Sequence, residues 1–316
     1  MSIQSLSIVI PVYNSEGSLK PLVGRLLQFF RDYQVDGEII LVNDCSPDRS
    51  WQKIQELCHA HLEVRGVNLM RNYGQHNALL CGIRRARHAV TATMDDDLQH
   101  PPEELPKLLA RLEEGFDVVY GTPIAQQHGL LRDMASTISK LALQGAMGAD
   151  TARSVSAFRA FRTSMREAFA AYEGSFVSID VLLTWASTRF SSVAVKHEPR
   201  TIGTSNYTMR KLVTHALNMM TGFSVWPLQA ASIMGFVFTV FGLLVLTYVL
   251  VRYLLSGSSV PGFPFLASMI AIFSGAQMFA LGIMGEYLAR IHFRSMQRPP
   301  YAVREQLGVG SSGDDK

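Results

Sequence analysis

The chain has few charged residues and only three cysteines for its length. Asp, Glu, Lys and Arg make up 17% of its 316 residues, whereas a soluble domain usually carries about 25%. Either the core is unusually large, or part of the chain lies in lipid. The net charge is only +3, which argues against nucleic acid as a main partner. The three cysteines lack the spacing of metal ligands or of a redox motif: they are Cys45, Cys58 and Cys81. This pattern predicts that the globular part of the chain faces the reducing cytosol.

Two common phosphate-binding motifs are also missing. Neither G-x-G-x-x-G nor G-x-x-x-x-G-K-[ST] occurs in the sequence, so neither a dinucleotide-binding Rossmann site nor a P-loop is indicated. The apolar run in the first 14 residues is too short for a signal peptide and reads as a first β-strand. The length suggests one sizeable globular unit plus something smaller.

Short β-rich runs alternate with helical patterns from residue 6 to residue 121. The predicted strands are Leu6–Val12, Glu38–Val42, Val64–Leu69, Val90–Met94 and Asp117–Tyr120. The predicted helices are Ser18–Arg31, Ser50–His59, His76–Arg87 and Pro102–Glu114. The first strands are continuously apolar, as strands covered by helices on both faces must be. The pattern predicts an α/β fold with an open, mostly parallel, doubly wound sheet.

The middle of the chain is less regular. A helix near Leu131–Met147 is predicted, followed by strands at Val155–Phe161 and Ser192–His197. Apolar residues then recur at helical spacing from 206 to 225, beside Arg210 and Lys211. A helix with a basic edge before a membrane span fits an amphipathic helix at the membrane interface, and an ordinary core-packing helix is the alternative.

Two long runs near the C-terminus contain no charge: residues 228–251 and residues 262–285. Each exceeds the roughly 20 residues needed to cross a hydrocarbon core of about 30 Å. Buried helices of a soluble protein rarely stay apolar all round for that length. Arg and Lys cluster before the first run and after the second, so the positive-inside rule places both termini in the cytoplasm.

Three consecutive acids, Asp95, Asp96 and Asp97, directly follow a predicted strand. Side chains alternate in extended chain, so Asp95 and Asp97 would project to one side. Two adjacent carboxylates repel unless a cation joins them, and Mg²⁺ characteristically takes one or two carboxylates plus phosphate oxygens. An acidic surface turn is the alternative. The position at the carboxyl end of a strand, where open α/β sheets bind ligands, favours the metal site.

Three other strand ends carry polar residues. Asp44 follows the second strand, where it would either hydrogen-bond a base or ribose or form a plain Asx-turn. Pro11 and Tyr13 close the first strand, and an aromatic there could flank a base. Gly74 follows the third strand and would permit close backbone approach to a ligand.

As a set, these motifs resemble the family 2 glycosyltransferases with the GT-A fold. The residues that carry the resemblance are Pro11-Val12-Tyr13-Asn14, Asn43-Asp44-Cys45-Ser46-Pro47-Asp48, Asn72-Tyr73-Gly74-Gln75 and Asp95-Asp96-Asp97-Leu98-Gln99-His100-Pro101-Pro102. Within the family the chain is similar to the polyprenyl-phosphate glycosyltransferases, from about residue 6 to residue 301, including both apolar runs. Cys45, Ala157 and Asn206 depart from the usual Gly, Gly and Lys, and none of these changes touches the predicted metal ligands.

The resemblance implies roles for individual residues. The nucleotide would be held by Pro11, Tyr13, Asn14, Asp44, Gly74, Asp95 and Asp96. Asp95 and Asp97 would bind Mg²⁺ or Mn²⁺ through the diphosphate, with Gln99 beside the sugar and Arg200 contacting a phosphate. The lipid phosphate would be held by Arg132, Ser136, Arg159 and Ser205. Without the family, surface ion pairs are the ordinary reading of Arg132 and Arg159.

The resemblance also implies an organisation and a reaction. Residues 1–205 would form the GT-A catalytic domain, 206–225 the interface helix, 226–255 and 262–290 two transmembrane helices, and 291–316 a cytoplasmic tail. An inverting transfer of sugar from a nucleotide-sugar, UDP-linked, to polyprenyl (undecaprenyl) phosphate is expected at the bacterial inner membrane, for cell-envelope glycan or lipid A modification. The expected assembly is a homo-oligomer such as a tetramer. The rival hypotheses are a non-catalytic nucleotide-sugar-binding scaffold and a transferase to another lipid or saccharide acceptor.

Overall fold

The computed structural model describes residues 4–123, 154–174, 177–198, 226–256, 262–296 and 298–308. The predicted helix near 131–147 and the predicted interface helix at 206–225 lie outside these ranges.

Strands and helices alternate through the first part of the chain. The elements up to residue 123 are β1 (Ser5–Val12), α1 (Leu19–Asp32), β2 (Asp36–Asn43), α2 (Ser50–Ala60), β3 (Val64–Leu69), α3 (Gln75–Ile83), β4 (Val90–Thr93), a 3₁₀ turn (Pro102–Glu104), α4 (Leu105–Glu113) and β5 (Val118–Pro123). All four predicted helices are present, but α3 ends four residues earlier than expected.

The remaining described elements complete the sheet and add two long helices. They are β6 (Arg159–Arg162), a 3₁₀ helix (Thr163–Phe169), α5 (Ile179–Ala186), β7 (Phe190–Val195), α6 (Trp226–Ser256), α7 (Phe263–Ser295) and β8 (Val303–Leu307). Several predicted strand bounds were wrong. Strand β2 begins two residues earlier than predicted, β5 ends three residues later, β6 begins at Arg159 rather than Val155, and β7 begins and ends two residues earlier.

The eight strands form one mixed sheet in the order β7-β5-β6-β4-β1-β2-β3-β8. The central strands pair in parallel, as predicted, and so do β5 and β7. Strand β6 runs antiparallel to both β4 and β5, and β8 runs antiparallel to β3. The order places β4, β1, β2 and β3 side by side, so their carboxyl ends share one edge.

Helices cover both faces of the sheet, and two hydrophobic cores result. The core on one face joins alternate β1 residues such as Ile8 and Ile10 to α1, α2 and α4. The core on the other face joins Val9 to α3, the second 3₁₀ helix and α5. A Cβ at Gly82 of α3 would lie 2.3 Å from Val9 Cγ1, so only glycine lets α3 approach the sheet this closely.

The helices α6 and α7 differ from the rest because their apolar side chains are exposed. Phe236, Leu244 and Leu255 of α6 are 70%, 65% and 80% exposed. Over Leu228–Leu255, α6 is long and apolar enough to cross a membrane. The helices contact each other, with the rings of Phe238 and Phe273 packed edge to face at 5.7 Å. Residues 263–290 of the second predicted span, 262–290, lie in α7.

Candidate active site

The turns after β1, β2, β3 and β4 all contain a residue with left-handed backbone. These residues are Asn14 (φ +60°), Cys45 (+54°), Gly74 (+94°) and Leu98 (+62°). Glycine adopts this conformation freely, whereas a leucine or cysteine there costs on the order of 1–3 kcal/mol. Such strain persists where neighbouring contacts hold it, and it clusters at ligand sites. The four turns mark this edge of the sheet as the candidate site.

Asp44, at the end of β2, holds the turn after β3. Its carboxylate is buried and accepts hydrogen bonds from the backbone N–H groups of Tyr73 (2.7 Å) and Gly74 (2.8 Å). Burial raises the pKa of the Asp44 carboxyl, and these two hydrogen bonds oppose the shift. The predicted nucleotide-binding residues Asp44 and Gly74 therefore lie together, and Asp44 anchors the backbone of the neighbouring turn.

The turns after β1 and β2 are joined by side-chain hydrogen bonds. Ser46 Oγ donates to Asn43 Oδ1 at 2.6 Å and accepts the Asn14 N–H at 3.2 Å. Asn43 Nδ2 in turn donates to Asn68 Oδ1 at 2.8 Å. A chain of polar contacts thus runs across three strand ends, and sequence reasoning had given no role to Asn43, Ser46 or Asn68.

Tyr13 and Asp96 connect the turns after β1 and β4. The Tyr13 N–H donates to Asp96 Oδ2 at 3.2 Å, while about half of the Tyr13 side chain is exposed. Burial raises the pKa of the Asp96 carboxyl to about 6, against hydrogen bonds from Ser15 and Tyr13 that lower it. Pro11 lies inside β1 opposite Val42 and is buried. Of the predicted nucleotide contacts, Tyr13 is thus open to a ligand and Pro11 shapes the strand beneath it.

Asp95 and Asp97, the predicted metal ligands, lie in the turn that follows β4 at the candidate site. Gln75, at the start of α3, donates from Nε2 to Asp95 Oδ1 at 2.7 Å. Asp97 is 9% exposed, and its Oδ1 accepts the Gln99 N–H at 3.1 Å. Within the described ranges no three His, Cys, Asp or Glu side chains form a metal-binding group. Two carboxylates nevertheless fit Mg²⁺ or Mn²⁺, because such ions complete their shell with substrate phosphates and water.

The segment after the three acids is fixed to the end of β7. The Glu198 N–H donates to the Gln99 carbonyl at 2.9 Å. The His100 ring stacks on Phe158 at 5.3 Å and meets the His197 ring edge-on at 5.1 Å. Burial and the neighbouring His197 lower the pKa of His100 to about 4, so the ring is neutral at pH 7. These contacts hold the backbone on which Gln99 is carried.

Arg159 occupies a different place from the one predicted. Its guanidinium is 2% exposed, forms an ion pair with Asp180 and donates from Nε to Thr93 Oγ1 at 3.0 Å. A buried and paired cation of this kind does not present itself to a lipid headgroup. The other predicted phosphate-binding residues, Arg132, Ser136, Arg200 and Ser205, lie outside the described residues.

The chain after α7 returns to the sheet beside the candidate site. The Met70 N–H donates to the Ala302 carbonyl at 2.9 Å, and Arg304 Nη2 donates to the Met70 carbonyl at 3.2 Å. Met70 directly precedes the turn that Asp44 holds. The segment predicted as a tail, 291–316, therefore includes β8 and supports this turn. Its short pattern of alternating residues gave no clear strand signal.

Known proteins match both the fold and the full length of the chain. The model of glycosyl transferase family 2 matches residues 7–172. The undecaprenyl-phosphate 4-deoxy-4-formamido-L-arabinose transferase of Proteus mirabilis is 33% identical over 312 residues, which cover 97% of this chain and 95% of that protein. The protein of the same name from Yersinia enterocolitica is 32% identical over 310 residues, covering 97% and 95%.

A solved structure shares the architecture. The crystal structure of glucosyl-3-phosphoglycerate synthase from Mycobacterium tuberculosis, in complex with Mn²⁺, UDP-glucose and phosphoglyceric acid, has a TM-score of 0.52 at 16% identity. The match covers 69% of this chain and 78% of that chain. The mixed sheet with its site at the carboxyl edge defines a protein of the GT-A class. The chain belongs to glycosyl transferase family 2.

Proposed function

We propose that this chain transfers a sugar from a nucleotide-sugar, UDP-linked as in the GT-A neighbour, to undecaprenyl phosphate. The observation that carries the proposal is the set of four turns at one sheet edge, with Asp44, Asp95 and Asp97 among them. The relatives that match almost the whole chain are named for transfer to undecaprenyl phosphate. Mg²⁺ or Mn²⁺ is the proposed cofactor.

The chemistry follows from the charges of the reactants. A polyprenyl phosphate is ionised at neutral pH, so it needs no strong general base to act as a nucleophile. A divalent ion on the leaving diphosphate would offset the charge that develops there. Asp95 and Asp97 would hold that ion, and Gln75 would keep the Asp95 carboxylate in place. The expected step is an in-line displacement with inversion at the anomeric carbon, in which positioning dominates.

The membrane arrangement is supported by the return of the chain to the sheet. Strands β7 and β8 belong to one sheet. If the chain between them enters a membrane, it must therefore cross it an even number of times. The candidate membrane span in α6, Leu228–Leu255, has 28 residues and is about 42 Å long at about 1.5 Å per residue. If α6 crosses, α7 is the apolar helix that can return. We therefore propose a two-span hairpin at the bacterial inner membrane, with the sheet and both termini in the cytoplasm.

A cysteine-accessibility experiment tests this hairpin. A single cysteine placed at Ser258, in a chain with Cys45, Cys58 and Cys81 replaced by serine, should react with a membrane-impermeant maleimide in intact cells. A cysteine at Gln306 should react only after lysis. Labelling of both positions, or of neither, in intact cells contradicts the hairpin. The proposed homo-oligomer would be measured on the same detergent-purified protein by native mass spectrometry.

A turnover assay tests the reaction. Purified protein in detergent would receive undecaprenyl phosphate, Mn²⁺ or Mg²⁺ and a panel of UDP- and GDP-sugars, with lipid products read by mass spectrometry. A lipid mass equal to acceptor plus one sugar is expected, and it should vanish with EDTA and in Asp97→Ala. Asp32→Ala, at an exposed acid at the end of α1, is the matched control and should keep full turnover.

The assay also separates the rival hypotheses. Nucleotide binding without product, also with donor extract from the native cell, would favour a non-catalytic scaffold. Product on a different lipid or saccharide, with none on undecaprenyl phosphate, would replace the proposed acceptor. A near-wild-type rate in Asp97→Ala would rule out the metal assignment.

A further inference from the structure

Four buried polar side chains form a connected hydrogen-bond network at the carboxyl end of β4, where the three acids follow. Arg159 pairs with Asp180, and Tyr120 Oη donates to the same Asp180 Oδ1 at 3.0 Å. Arg159 Nε donates to Thr93 Oγ1, and Thr93 Oγ1 donates to the Ala157 carbonyl at 2.8 Å. All four side chains are at most 4% exposed as residues. Buried charges are tolerated in proteins when they are paired and hydrogen-bonded, as these are.

The network joins four elements at the carboxyl end of β4. Thr93 is the last residue of β4 and pairs in register with Arg159, the first residue of β6. Tyr120 lies on β5, and Asp180 lies in the first turn of α5. Asp95 is two residues beyond Thr93, and the strained Leu98 follows three residues later. The end of β4, which leads into the proposed metal-binding acids, is thus hydrogen-bonded to β6. Through Arg159 it is also connected to Asp180 of α5 and, by way of Asp180, to Tyr120 of β5.

We infer that Arg159 and Asp180 are positioning residues, which hold the end of β4 so that Asp95 and Asp97 meet the metal-bound diphosphate. The inference rests on the proposed function and deepens it. On this inference Arg159 holds Thr93 at the end of β4, and it does not contact the lipid phosphate. Strained turns keep their conformation only where surrounding contacts over-determine them. This network holds Thr93, the residue from which the backbone enters the turn that contains Leu98.

A second buried ion pair provides a matched control at the opposite edge of the sheet. Arg65 Nη1 lies 2.7 Å from Glu38 Oε2, with side-chain exposures of 9% and 7%. Ser7 Oγ also donates to Glu38 Oε1 at 2.7 Å. Glu38 and Arg65 lie near the amino ends of β2 and β3, far along the strands from the candidate site. Removing one charge there stresses the fold in the same way without touching the end of β4.

The experiment compares Asp180→Asn with Glu38→Gln in the full chain. Each change keeps the side-chain shape and leaves a buried arginine without its counter-charge. We measure thermal stability, kcat, and the Mn²⁺ concentration that gives half-maximal turnover. Asp180→Asn should lower kcat at least about tenfold or raise the Mn²⁺ requirement by a similar factor, as loss of supporting contacts around metal ligands does. Glu38→Gln should lower thermal stability and leave both kinetic values within about twofold of wild type.

Two gentler variants keep the inference testable if Asp180→Asn does not fold. Tyr120→Phe removes one hydrogen bond to Asp180 and preserves the ring, so it should fold and still raise the Mn²⁺ requirement. Arg159→Lys keeps the charge and should retain more activity than Arg159→Met. Folded Tyr120→Phe and Arg159→Met with wild-type kcat and Mn²⁺ dependence would overturn the inference, as would equal activity loss in Glu38→Gln.

The outcomes also separate this inference from the proposed function. If the wild-type chain shows no turnover, the same variants are compared by binding of UDP with Mn²⁺. Failure of the wild type to bind UDP contradicts the proposed function itself. Wild-type binding with unchanged affinity in Asp180→Asn, Arg159→Met and Tyr120→Phe contradicts the positioning role alone.

Discussion

Replacing Asp44 by asparagine should release the turn that follows β3. The Asp44 carboxylate accepts two backbone N–H groups, from Tyr73 and Gly74. Asparagine has one acceptor oxygen, and its NH₂ group would face the second N–H donor. A hydrogen bond to a charged group contributes about 1.5–3 kcal/mol. Burial disfavours the Asp44 charge, so a neutral asparagine regains part of the free energy lost with the hydrogen bond. The net free-energy loss should therefore lie near the lower end of this range.

A loss of about 1.4 kcal/mol corresponds to tenfold in an equilibrium constant. We therefore expect the Kd for UDP with Mn²⁺, measured by isothermal titration calorimetry, to rise about tenfold in Asp44→Asn. Hydrogen exchange without nucleotide gives an independent readout, because the Tyr73 and Gly74 amides should lose protection. This second measurement separates anchoring of the turn from a direct contact of Asp44 with the base.

Asp48→Asn is the matched control for this prediction. The Asp48 carboxylate also accepts two backbone N–H groups, from Glu16 at 3.1 Å and Ser50 at 3.0 Å. Its loss should affect the start of α2 and leave UDP affinity within about twofold of wild type. Unchanged amide protection and UDP affinity in Asp44→Asn would refute the anchoring role. Equal weakening in both variants would show a general loss of stability.

Three further predictions concern stability and access. The pKa of Glu38 is lowered in the folded protein, because hydrogen bonds from Ser7, Arg65 and the Arg87 N–H outweigh the effect of burial. The Glu38 carboxylate therefore stabilises the fold above its unfolded-state pKa, and this stabilisation is lost as the pH falls through the folded-state pKa. The Tm difference between wild type and Glu38→Gln should shrink on acidification, and a constant Tm difference would contradict this prediction. Burial raises the pKa of the Cys58 and Cys81 thiols to about 11. Iodoacetamide at pH 7.5 should therefore alkylate Cys45 first in the native chain. UDP with Mn²⁺ should slow the alkylation of Cys45. A Cβ at Gly74 meets no atom within 4 Å, so the cost of Gly74→Ala should be backbone strain alone, on the order of 1–3 kcal/mol. We expect weaker UDP binding with an intact core, and wild-type UDP affinity would show that the turn tolerates a Cβ.

The arrangement of the site explains why several of its residues are short and polar. Ser46, Asn43 and Asn68 reach only immediate neighbours, so each contact joins adjacent strand ends. Such contacts leave the surface of the turns open to a ligand while holding their backbones. Tyr13 is a half-exposed aromatic side chain at this edge, and we propose it as the ring that stacks on the base.

Much of this protein was determined by local sequence pattern. Continuous apolar runs predict strands that are buried on both faces, and β1 to β5 lie where those runs occur. Such a run can be identified from its own residues, without knowledge of the strands that pair with it. The acids Asp95–Asp97 follow β4 as predicted, since the end of an apolar run is itself a local feature. The length and apolarity of α6 are likewise properties of one segment.

Tertiary structure decided the rest, because it depends on pairings between distant residues. Nothing near Arg159 in sequence shows that its guanidinium meets Asp180, 21 residues away, in the core. Nothing near Val303 shows that β8 pairs with β3 across more than 200 residues. The roles of a short exposed strand and of a single arginine depend on which residues the folded sheet places beside them. The tendency of an apolar run to become buried depends only on its own side chains.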